Sequence, residues 1–167
     1  MKVLFLDIDG VLNSYTSRVI ADNIRRGDFG THRAWNPECV DQLKRIIAET
    51  GCQIVISSDW RLGNNQVDLT NGFEAFQLPK WIGVTPQFGM NNAVNCNRGN
   101  EIDAWLFNWT VSHSLTGEAI ESFAIVDDHN WMQPSQQKNF VQTSDETGLT
   151  ESDASDIIRI LNGNPKS

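Results

Sequence analysis

The chain has 167 residues, which is enough for one domain that buries a core of its own. Its hydrophobic content of 40% and charged content of 20% are those of an ordinary globular protein, and no apolar run approaches the roughly 20 residues that span a bilayer. The formal charge of −8 excludes a general nucleic-acid coat, which would need an excess of phosphate-neutralising lysines and arginines. The apolar stretch before Asp7 is too short for a signal peptide, so a cytoplasmic location is expected.

Short apolar runs that end in polar residues recur along the chain and predict parallel strands buried on both faces. They cover residues 3–6, 53–56 and 123–126, more weakly 140–143, with a further short strand at 81–84. Helix signals fall between them: one helix is capped by Asn36, begins with Pro37 and stops at Gly51, a second opens at Glu101, and a third runs from Thr150 or Ser152 to Gly163. Residues 13–35, 63–69 and 88–97 have the composition of irregular segments.

Strands that alternate with helices predict an α/β fold. We expect a three-layer α/β/α sandwich with a mostly parallel, Rossmann-like sheet. No repeat or Pro-rich linker divides the chain, so residues 1–167 are expected to form a single domain. Cys39, Cys52 and Cys96 lie far apart and are expected to be buried, reduced thiols.

The strongest predicted strands end in acidic or hydroxyl side chains, at the edge of a parallel sheet where ligands bind. Asp7 and Asp9 follow the first strand, and Gly10 lets the chain turn sharply beside a ligand. Asp127 and Asp128 follow another strand. Carboxylates that converge without a matching basic cluster repel one another unless a cation intervenes, which favours Mg²⁺ together with a phosphate.

A local group of arginines contrasts with the acidic composition. Residues 15–35 contain Arg18, Arg25, Arg26 and Arg33 against only Asp22 and Asp28. Such a patch suits an enzyme that recruits an anionic ligand at one place, although a solvated loop with a few arginines has the same composition.

Four motifs in order resemble those of the haloacid dehalogenase (HAD) superfamily of phosphatases. Residues 7–12, DIDGVL, resemble the first motif, DxDG(V/T)(L/V), and residues 54–57, IVIS, resemble the second, an apolar strand that ends in Ser or Thr. Arg98 falls where the family places its third-motif Lys or Arg, ahead of the helix predicted at Glu101. Residues 123–128, FAIVDD, resemble the fourth motif, an acidic pair that closes a strand.

This resemblance implies a role for each matching residue. Asp7 would attack phosphorus and become an aspartyl phosphate, and Asp9 would protonate the leaving oxygen and then activate water. Ser57 would hydrogen-bond the transferring phosphoryl group, and Arg98 would balance the charge on Asp7. The acid at position 9 argues for phosphatase rather than dehalogenase chemistry, because dehalogenases lack it.

The resemblance also implies a magnesium site. Its ligands would be Asp7, the backbone carbonyl of Asp9 and Asp127, with Asp128 bound directly or through water.

Several assignments stay open at this point. Ser57 can be a helix cap, with Ser58 the phosphate ligand. Arg98 can pair with Glu101, and Arg61 or Lys80 can then be the phosphate cation. His129 follows the acidic pair closely enough to line the site, and one of Trp35, Trp60 and Trp131 can stack on a base.

Residues 55–61 (VISSDWR), 83–86 (GVTP), 98–106 (RGNEIDAWL) and 147–150 (TGLT) resemble the compact HAD domains of RNA-repair and polynucleotide end-processing proteins. That resemblance implies a minimal cap at residues 13–35 and a polynucleotide 3′-phosphatase as the leading function. The alternative is a phosphatase for free nucleotides or another small metabolite, and a third hypothesis is an inactive domain that binds phosphate or a partner. No GxxxxGK(S/T) loop accompanies these motifs, so no kinase activity is expected.

Overall fold

The computed structural model of the protein describes residues 1–24, 31–63, 65–88 and 97–164. Within these residues the chain forms five strands, which are β1 Lys2–Leu6, β2 Gln53–Ile56, β3 Gly83–Val84, β4 Ser122–Asp127 and β5 Phe140–Gln142. The α-helices of the same residues are α1 Tyr15–Ile24, α2 Pro37–Thr50, α3 Asn65–Ala75, α4 Arg98–Ser112 and α5 Glu151–Leu161. All five predicted strands are therefore present, although β3 has only two residues.

The strands form one sheet in the order β3-β2-β1-β4-β5, and every neighbouring pair is parallel. In the central strand, Leu6 pairs with Ile56 of β2 on one side and with Val126 of β4 on the other. Because these strands are parallel and in register, the residues that follow them come together at one edge of the sheet. This register brings Asp7 close to the ends of β2 and β4.

Helices cover both faces of the sheet, since successive side chains of a strand point to opposite sides. Leu4 and Leu6 belong to a buried cluster that contains residues of α2, α3 and α5, whereas Val3 and Phe5 pack with residues of α4. The ring of Phe5 meets Trp105 of α4 edge to face, with ring centroids 5.4 Å apart. The predicted three-layer α/β/α sandwich with a parallel, Rossmann-like sheet is confirmed.

Two helices have the end signals that the sequence predicts. The side chain of Asn36 accepts a hydrogen bond from the backbone N–H of Glu38 at 3.0 Å, and Gly51 ends α2 with a left-handed φ of 65°. Thr150 caps α5, and its side chain and that of Asp153 satisfy each other's backbone N–H groups in a capping box.

Three sequence predictions about helices are wrong. Residues 13–35 contain α1, and the backbone N–H of its first residue, Tyr15, donates to the carbonyl of Asp145 at 2.7 Å, a partner 130 positions later in the sequence. Residues 63–69 include the start of α3, which buries Leu69 despite poor helix formers in its interior. The helix predicted to open at Glu101 begins at Arg98, three positions earlier, with Asn97 as its cap. Residues 89–96, within the predicted loop 88–97, lie outside the described residues.

Cys39 and Cys52 are buried free thiols, as predicted, and Cys96 lies outside the described residues. Burial raises the pKa of the Cys39 thiol to about 11, which favours the protonated thiol over the nucleophilic thiolate at neutral pH. Among the described helices, none combines the length and the apolar character needed to cross a membrane.

Candidate active site

The carboxyl ends of the strands border a cavity of about 730 Å³. Six of the seven predicted site residues line it, namely Asp7, Asp9, Ser58, Arg98, Asp127 and Asp128. The seventh, Ser57, is not among the residues that line it. The register of the sheet thus gathers groups that are up to 121 positions apart in the chain, from residue 7 to residue 128.

Asp7 follows the central strand, and its backbone N–H continues the sheet by donating to the carbonyl of Val126 at 3.1 Å. Only 6% of the residue is exposed. Burial raises the pKa of the Asp7 carboxyl, while the Arg98 guanidinium and a hydrogen bond with the Ser58 side chain oppose that rise. Asp7 is therefore a desolvated carboxylate whose charge is supported by a fixed cation.

Arg98 links the two buried carboxylates of the site. Its Nη1 lies 3.3 Å from Oδ1 of Asp7 and 3.4 Å from Oδ2 of Asp127. Burial acts to lower the pKa of Arg98, but the neighbouring carboxylates outweigh it and raise the pKa. As the first residue of α4, Arg98 is positioned by the Asn97 cap, whose side chain accepts from the backbone N–H of Asn100 at 3.0 Å.

Asp127 is the last residue of β4, and Asp128 follows it. Burial, and next the charge of Asp7, raise the pKa of the Asp127 carboxyl to about 7. Its Oδ1 accepts a hydrogen bond from the backbone N–H of His129 at 2.8 Å, whereas its buried Oδ2 has no hydrogen-bond donor among the described residues. Oδ1 of Asp128 lies 2.6 Å from Nδ1 of His129.

Asp9 differs from Asp7 because 55% of its side chain is exposed. Both of its oxygens are nevertheless held: Nε1 of Trp60 donates to Oδ2 at 2.8 Å, and Nδ2 of Asn13 donates to Oδ1 at 2.7 Å. Nη1 of Arg18 lies 3.9 Å from Oδ1. This carboxylate is both accessible to a ligand and fixed in orientation.

Gly10 makes the turn that directly follows the two catalytic candidates, Asp7 and Asp9. Its φ of +69° is in the left-handed region, and a Cβ at this position would lie 2.5 Å from the carboxyl carbon of Asp128. Glycine is thus required both for the turn and for the close approach of Asp128 to the first loop.

Ser57 and Ser58, although adjacent in the chain, have different surroundings in the structure. Ser58 lines the cavity, and its Oγ accepts from the backbone N–H of Trp60 at 3.4 Å as the cap of a short 3₁₀ helix, Asp59–Arg61. Ser57 is fully buried, and its hydroxyl has no hydrogen-bond partner among the described residues. The cavity lining therefore favours Ser58, the alternative left open by the sequence, which is itself 1% exposed and whose side chain hydrogen-bonds Asp7.

The two alternative phosphate cations, Arg61 and Lys80, have different surroundings. Arg61, not Arg98, pairs with Glu101, at 2.8 Å, and its other nitrogens donate to backbone carbonyls, including that of Ser58 at 2.6 Å. Its side chain is only 2% exposed, so its donors are already used inside the protein. Lys80 is exposed and is not among the residues that line the cavity. Arg98 remains the buried cation nearest to Asp7.

The tryptophans near the site divide into core and surface. Trp35 and Trp60 are 2% and 3% exposed, so neither ring offers a free face. Trp131 is 51% exposed and lines the cavity, and so does His129. The rings of His129 and Trp131 are 4.6 Å apart at an angle of 30°.

Other cavity residues were missed as site residues. Asp59 comes from the turn after β2, and the loop after β5 contributes Thr143, Ser144 and Asp145. The rule that polar residues follow buried strands would have found the last three, because β5 was predicted, but as the weakest strand. Arg18 was noted only as part of the arginine patch; in the structure it lines the cavity and pairs with Asp145 at 2.6 Å.

The donors at the cavity fit a hard divalent cation. Asp7 and Asp127 are desolvated carboxylates that lie close together, and Oδ2 of Asp127 forms an ion pair with Arg98 but accepts no hydrogen bond from the described residues, so it can still serve a cation. Ligand atoms of Asp127, Asp128 and His129 also lie within 4.8 Å of one another. We favour the carboxylates over His129 as ligands, because Mg²⁺ prefers oxygen and Nδ1 of His129 is already engaged by Asp128.

A family profile described as "HAD domain in Swiss Army Knife RNA repair proteins" matches residues 3–154. The matched segment contains every residue named above as lining the cavity. Comparison with curated proteins and with solved structures found no match.

Proposed function

The chain belongs to the family of HAD domains in Swiss Army Knife RNA repair proteins, and from that membership we propose that it is a magnesium-dependent phosphomonoester phosphatase. One observation carries the proposal: a buried carboxylate, Asp7, and an accessible, oriented carboxylate, Asp9, line one cavity with Arg98 and Ser58. A nucleophile and an acid placed in one site are what two-step phosphoryl transfer requires.

In the first step a carboxylate oxygen of Asp7 attacks phosphorus, and the bond from phosphorus to the leaving oxygen breaks. Asp9 gives its proton to that oxygen, so that an alcohol rather than an alkoxide departs. Ser58 and Arg98 stabilise the charge on the transferring phosphoryl group, at positions fixed before the substrate binds. The product of this step is an aspartyl phosphate on Asp7.

In the second step Asp9, now ionised, accepts a proton from a water molecule that attacks phosphorus. The bond between phosphorus and Asp7 breaks, inorganic phosphate leaves, and both carboxylates return to their starting states. Asp7, Asp127 and the backbone carbonyl of Asp9 would hold Mg²⁺, with Asp128 direct or through water. When bound, the ion neutralises negative charge between the carboxylates and the phosphate.

The leading substrate is a nucleic-acid 3′-phosphate end. The family description places such domains in RNA repair proteins, and Arg18 brings a cation from residues 13–35 to the cavity. We propose that this segment, which contains α1, acts as a minimal cap. Arg25 and Arg26 lie outside the described residues, and Arg33 is exposed in the short 3₁₀ helix His32–Ala34.

A specific observation favours the alternative, a phosphatase for free nucleotides or a small metabolite. Among the described residues, the two arginines that line the cavity already pair with carboxylates, Arg18 with Asp145 and Arg98 with Asp7. Paired arginines leave less positive charge to bind a polynucleotide backbone, whose affinity depends on neutralised phosphates. An inactive phosphate-binding domain is the least favoured hypothesis, because the acidic pair and its supporting groups are complete.

The test of the chemistry is hydrolysis of an aryl phosphate by the wild type with Mg²⁺ and with EDTA. Asp7→Asn should lose activity by several orders of magnitude, because the amide is not a nucleophile. Asp59→Asn is the matched control. Asp59 lines the same cavity, but we assign no chemical step to its carboxylate. Wild-type protein without activity, or Asp7→Asn with undiminished activity, would overturn the proposal.

The substrate is tested with 3′-phosphorylated oligonucleotides, 5′-phosphorylated oligonucleotides and mononucleotides. A higher kcat/KM for 3′-phosphorylated oligonucleotides, falling steeply with salt, supports the leading function. Preference for mononucleotides by orders of magnitude would establish the alternative instead.

A further inference from the structure

Trp131 is unusual among the described tryptophans in its exposure. The rings of Trp35, Trp60 and Trp105 are buried, Trp81 and Trp109 are partly buried, and Trp131 alone of the described six is exposed, at 51%. An exposed indole ring does not gain the stabilising free energy that the buried tryptophan rings gain in the core. An exposed aromatic face beside a candidate active site suggests that a ligand covers it.

The main chain at Trp131 is fixed to the helix that carries Arg98. The backbone N–H of Gly99 donates to the carbonyl of Trp131 at 3.1 Å. A Cβ at Gly99 would lie 2.7 Å from the backbone nitrogen of Gln133, so only glycine permits this approach. The position of Trp131 is thereby set relative to Arg98, one residue before Gly99, and through Arg98 relative to Asp7.

A second set of contacts joins the ring to the acidic pair. Asp127 accepts from the backbone N–H of His129, and Asp128 contacts Nδ1 of the same residue. The His129 ring packs against the Trp131 ring at 4.6 Å. The two rings form an aromatic pair at the side of the cavity that holds the proposed metal ligands.

The remaining cavity lining is polar. Of the described residues that border it, Trp131 supplies the one large apolar side chain, while the others are Asp, Arg, Ser, Thr and His. A ligand that uses the whole cavity therefore combines a phosphate with a flat apolar group that contacts the Trp131 ring. A nucleoside phosphate has this shape, since every base has a face that stacks on an aromatic ring.

We propose that Trp131 is a stacking platform for the base of the nucleotide whose phosphate is removed, and thus a specificity-determining residue. The inference rests on the proposed phosphatase function for its biological meaning, but the stacking itself can be measured without catalysis. The shared chemistry is a nucleoside monophosphate unit, which is supplied either by a free nucleotide or by the end of a polynucleotide.

The binding test uses the inactive Asp7→Asn protein, in which nucleotide and glycerol phosphate affinities are measured by calorimetry. Adding Trp131→Ala should weaken binding of adenosine 3′-monophosphate by roughly tenfold or more relative to glycerol phosphate, which has no base. Trp131→Phe should lose less, because a smaller ring still stacks. Phe107→Ala, which removes an exposed aromatic ring on α4 outside the cavity lining, is the control and should leave both affinities unchanged.

The kinetic test uses active protein and the ratio of kcat/KM for the nucleotide to kcat/KM for glycerol phosphate. Trp131→Ala should lower this ratio by roughly tenfold or more. Parallel arms with a mononucleotide and with a 3′-phosphorylated oligonucleotide identify the source of the base, and the ratio must fall for whichever is the better substrate. An unchanged ratio, or equal losses for both ligands, would overturn the stacking role.

The two proposals fail in different ways. A wild type that hydrolyses no phosphomonoester, but whose nucleotide affinity still depends on the ring at position 131, would refute the phosphatase and retain the platform. Hydrolysis of nucleotides with no dependence on that ring, in either test, would retain the phosphatase and refute the platform.

Discussion

Nε1 of Trp60 donates a hydrogen bond of 2.8 Å to Oδ2 of Asp9, and the indole that makes it is anchored in the core. The ring of Trp60 is 3% exposed and packs against that of Trp35, with centroids 5.9 Å apart. An exposed carboxylate is therefore oriented by a buried side chain 51 positions away. In the proposed mechanism, that orientation aims the acid at the leaving oxygen.

Trp60→Phe should remove this hydrogen bond and keep most of the packing. A bond to a charged group is worth about 1.5–3 kcal/mol, so we expect kcat/KM for an alkyl phosphate to fall by roughly 10- to 100-fold. An aryl phosphate should lose less, since its leaving oxygen needs little protonation. Equal losses for the two substrates, measured on protein whose urea unfolding is unchanged, would contradict a role in aiming the acid.

Arg98→Met should damage both activity and stability. It leaves Asp7 and Asp127 buried without their counter-charge, and removal of one partner from a buried ion pair costs about 3–5 kcal/mol. We expect kcat/KM to fall by about 100-fold or more, because the charge on the phosphoryl group also loses a stabilising cation. Arg98→Lys, measured in the same assays of hydrolysis and urea unfolding, should lose less of each; indistinguishable variants would show that charge is not what matters at this position.

Glu101→Ala should act on stability first. The Arg61 guanidinium is 2% exposed and pairs with Glu101 at 2.8 Å, so the substitution removes the closer of its two carboxylate partners and leaves the exposed Asp59, at 3.4 Å. We expect the free energy of unfolding to fall by about 3–5 kcal/mol in urea titrations. Glu101→Gln, which keeps an oxygen that can accept from Arg61, should be less destabilised than Glu101→Ala, and equal losses for the two variants would contradict a role for this hydrogen bond.

The metal-free protein should become less stable as pH rises through the range in which Asp127 titrates. Burial raises the pKa of this carboxyl from 3.8 to about 7, so between these values the folded protein holds a proton that the unfolded chain has lost. Unfolding then releases a proton, and the free energy of unfolding falls with increasing pH. Other groups contribute as well, so the measurement is the difference between wild type and Asp127→Asn in urea titrations with EDTA from pH 5 to 8.

The free energy of unfolding of the wild type, minus that of Asp127→Asn, should decrease as pH rises. Mg²⁺ at pH 8 should restore wild-type stability, because the ion replaces the proton between the carboxylates. A wild type that gains stability relative to Asp127→Asn across this interval without metal would contradict the raised pKa.

Gly10→Ala should disturb the site although it replaces none of the side chains to which we assign a chemical role. The left-handed φ of +69° costs an alanine about 1–2 kcal/mol, and the new methyl would collide with the carboxyl of Asp128. We expect lower Mg²⁺ affinity and lower kcat, measured by metal titration of the rate. Gly63→Ala, at a φ of +57° with open space around it, is the matched control for backbone strain alone.

The strands and the caps were predictable because their signals are local. Residues 3–6 are uniformly apolar and β-prone, and Asn36 with Pro37 and Gly51 defines both ends of α2 within one segment. The gathering of Asp7, Asp9, Arg98, Asp127 and Asp128 around one cavity could be predicted for a related reason, since the motifs that carry them sit at strand or helix ends. A single domain of residues 1–167 and a cytoplasmic location stay predictions.

What could not be predicted depends on contacts between distant parts of the chain. The backbone N–H at the start of α1 donates to the carbonyl of Asp145, and the sequence of residues 13–35 gives no signal for that partner. That Ser58, and not Ser57, lines the cavity depends on how the turn after β2 folds. The pairing of Glu101 with Arg61 rather than Arg98 likewise depends on how α4 docks against that turn.

The order of strands has a consequence for how the protein responds to partial opening. β1 pairs on both sides, with β2 and with β4, whereas β3 and β5 are the outer strands of the described sheet. Hydrogen exchange should therefore be slowest at the amides of β1, which are released only when the whole sheet separates, and faster at β5. The loop after β5 supplies Asp145, the partner of Arg18, so opening at this edge would release the cation that we propose for substrate recognition while Asp7 stays fixed on the central strand.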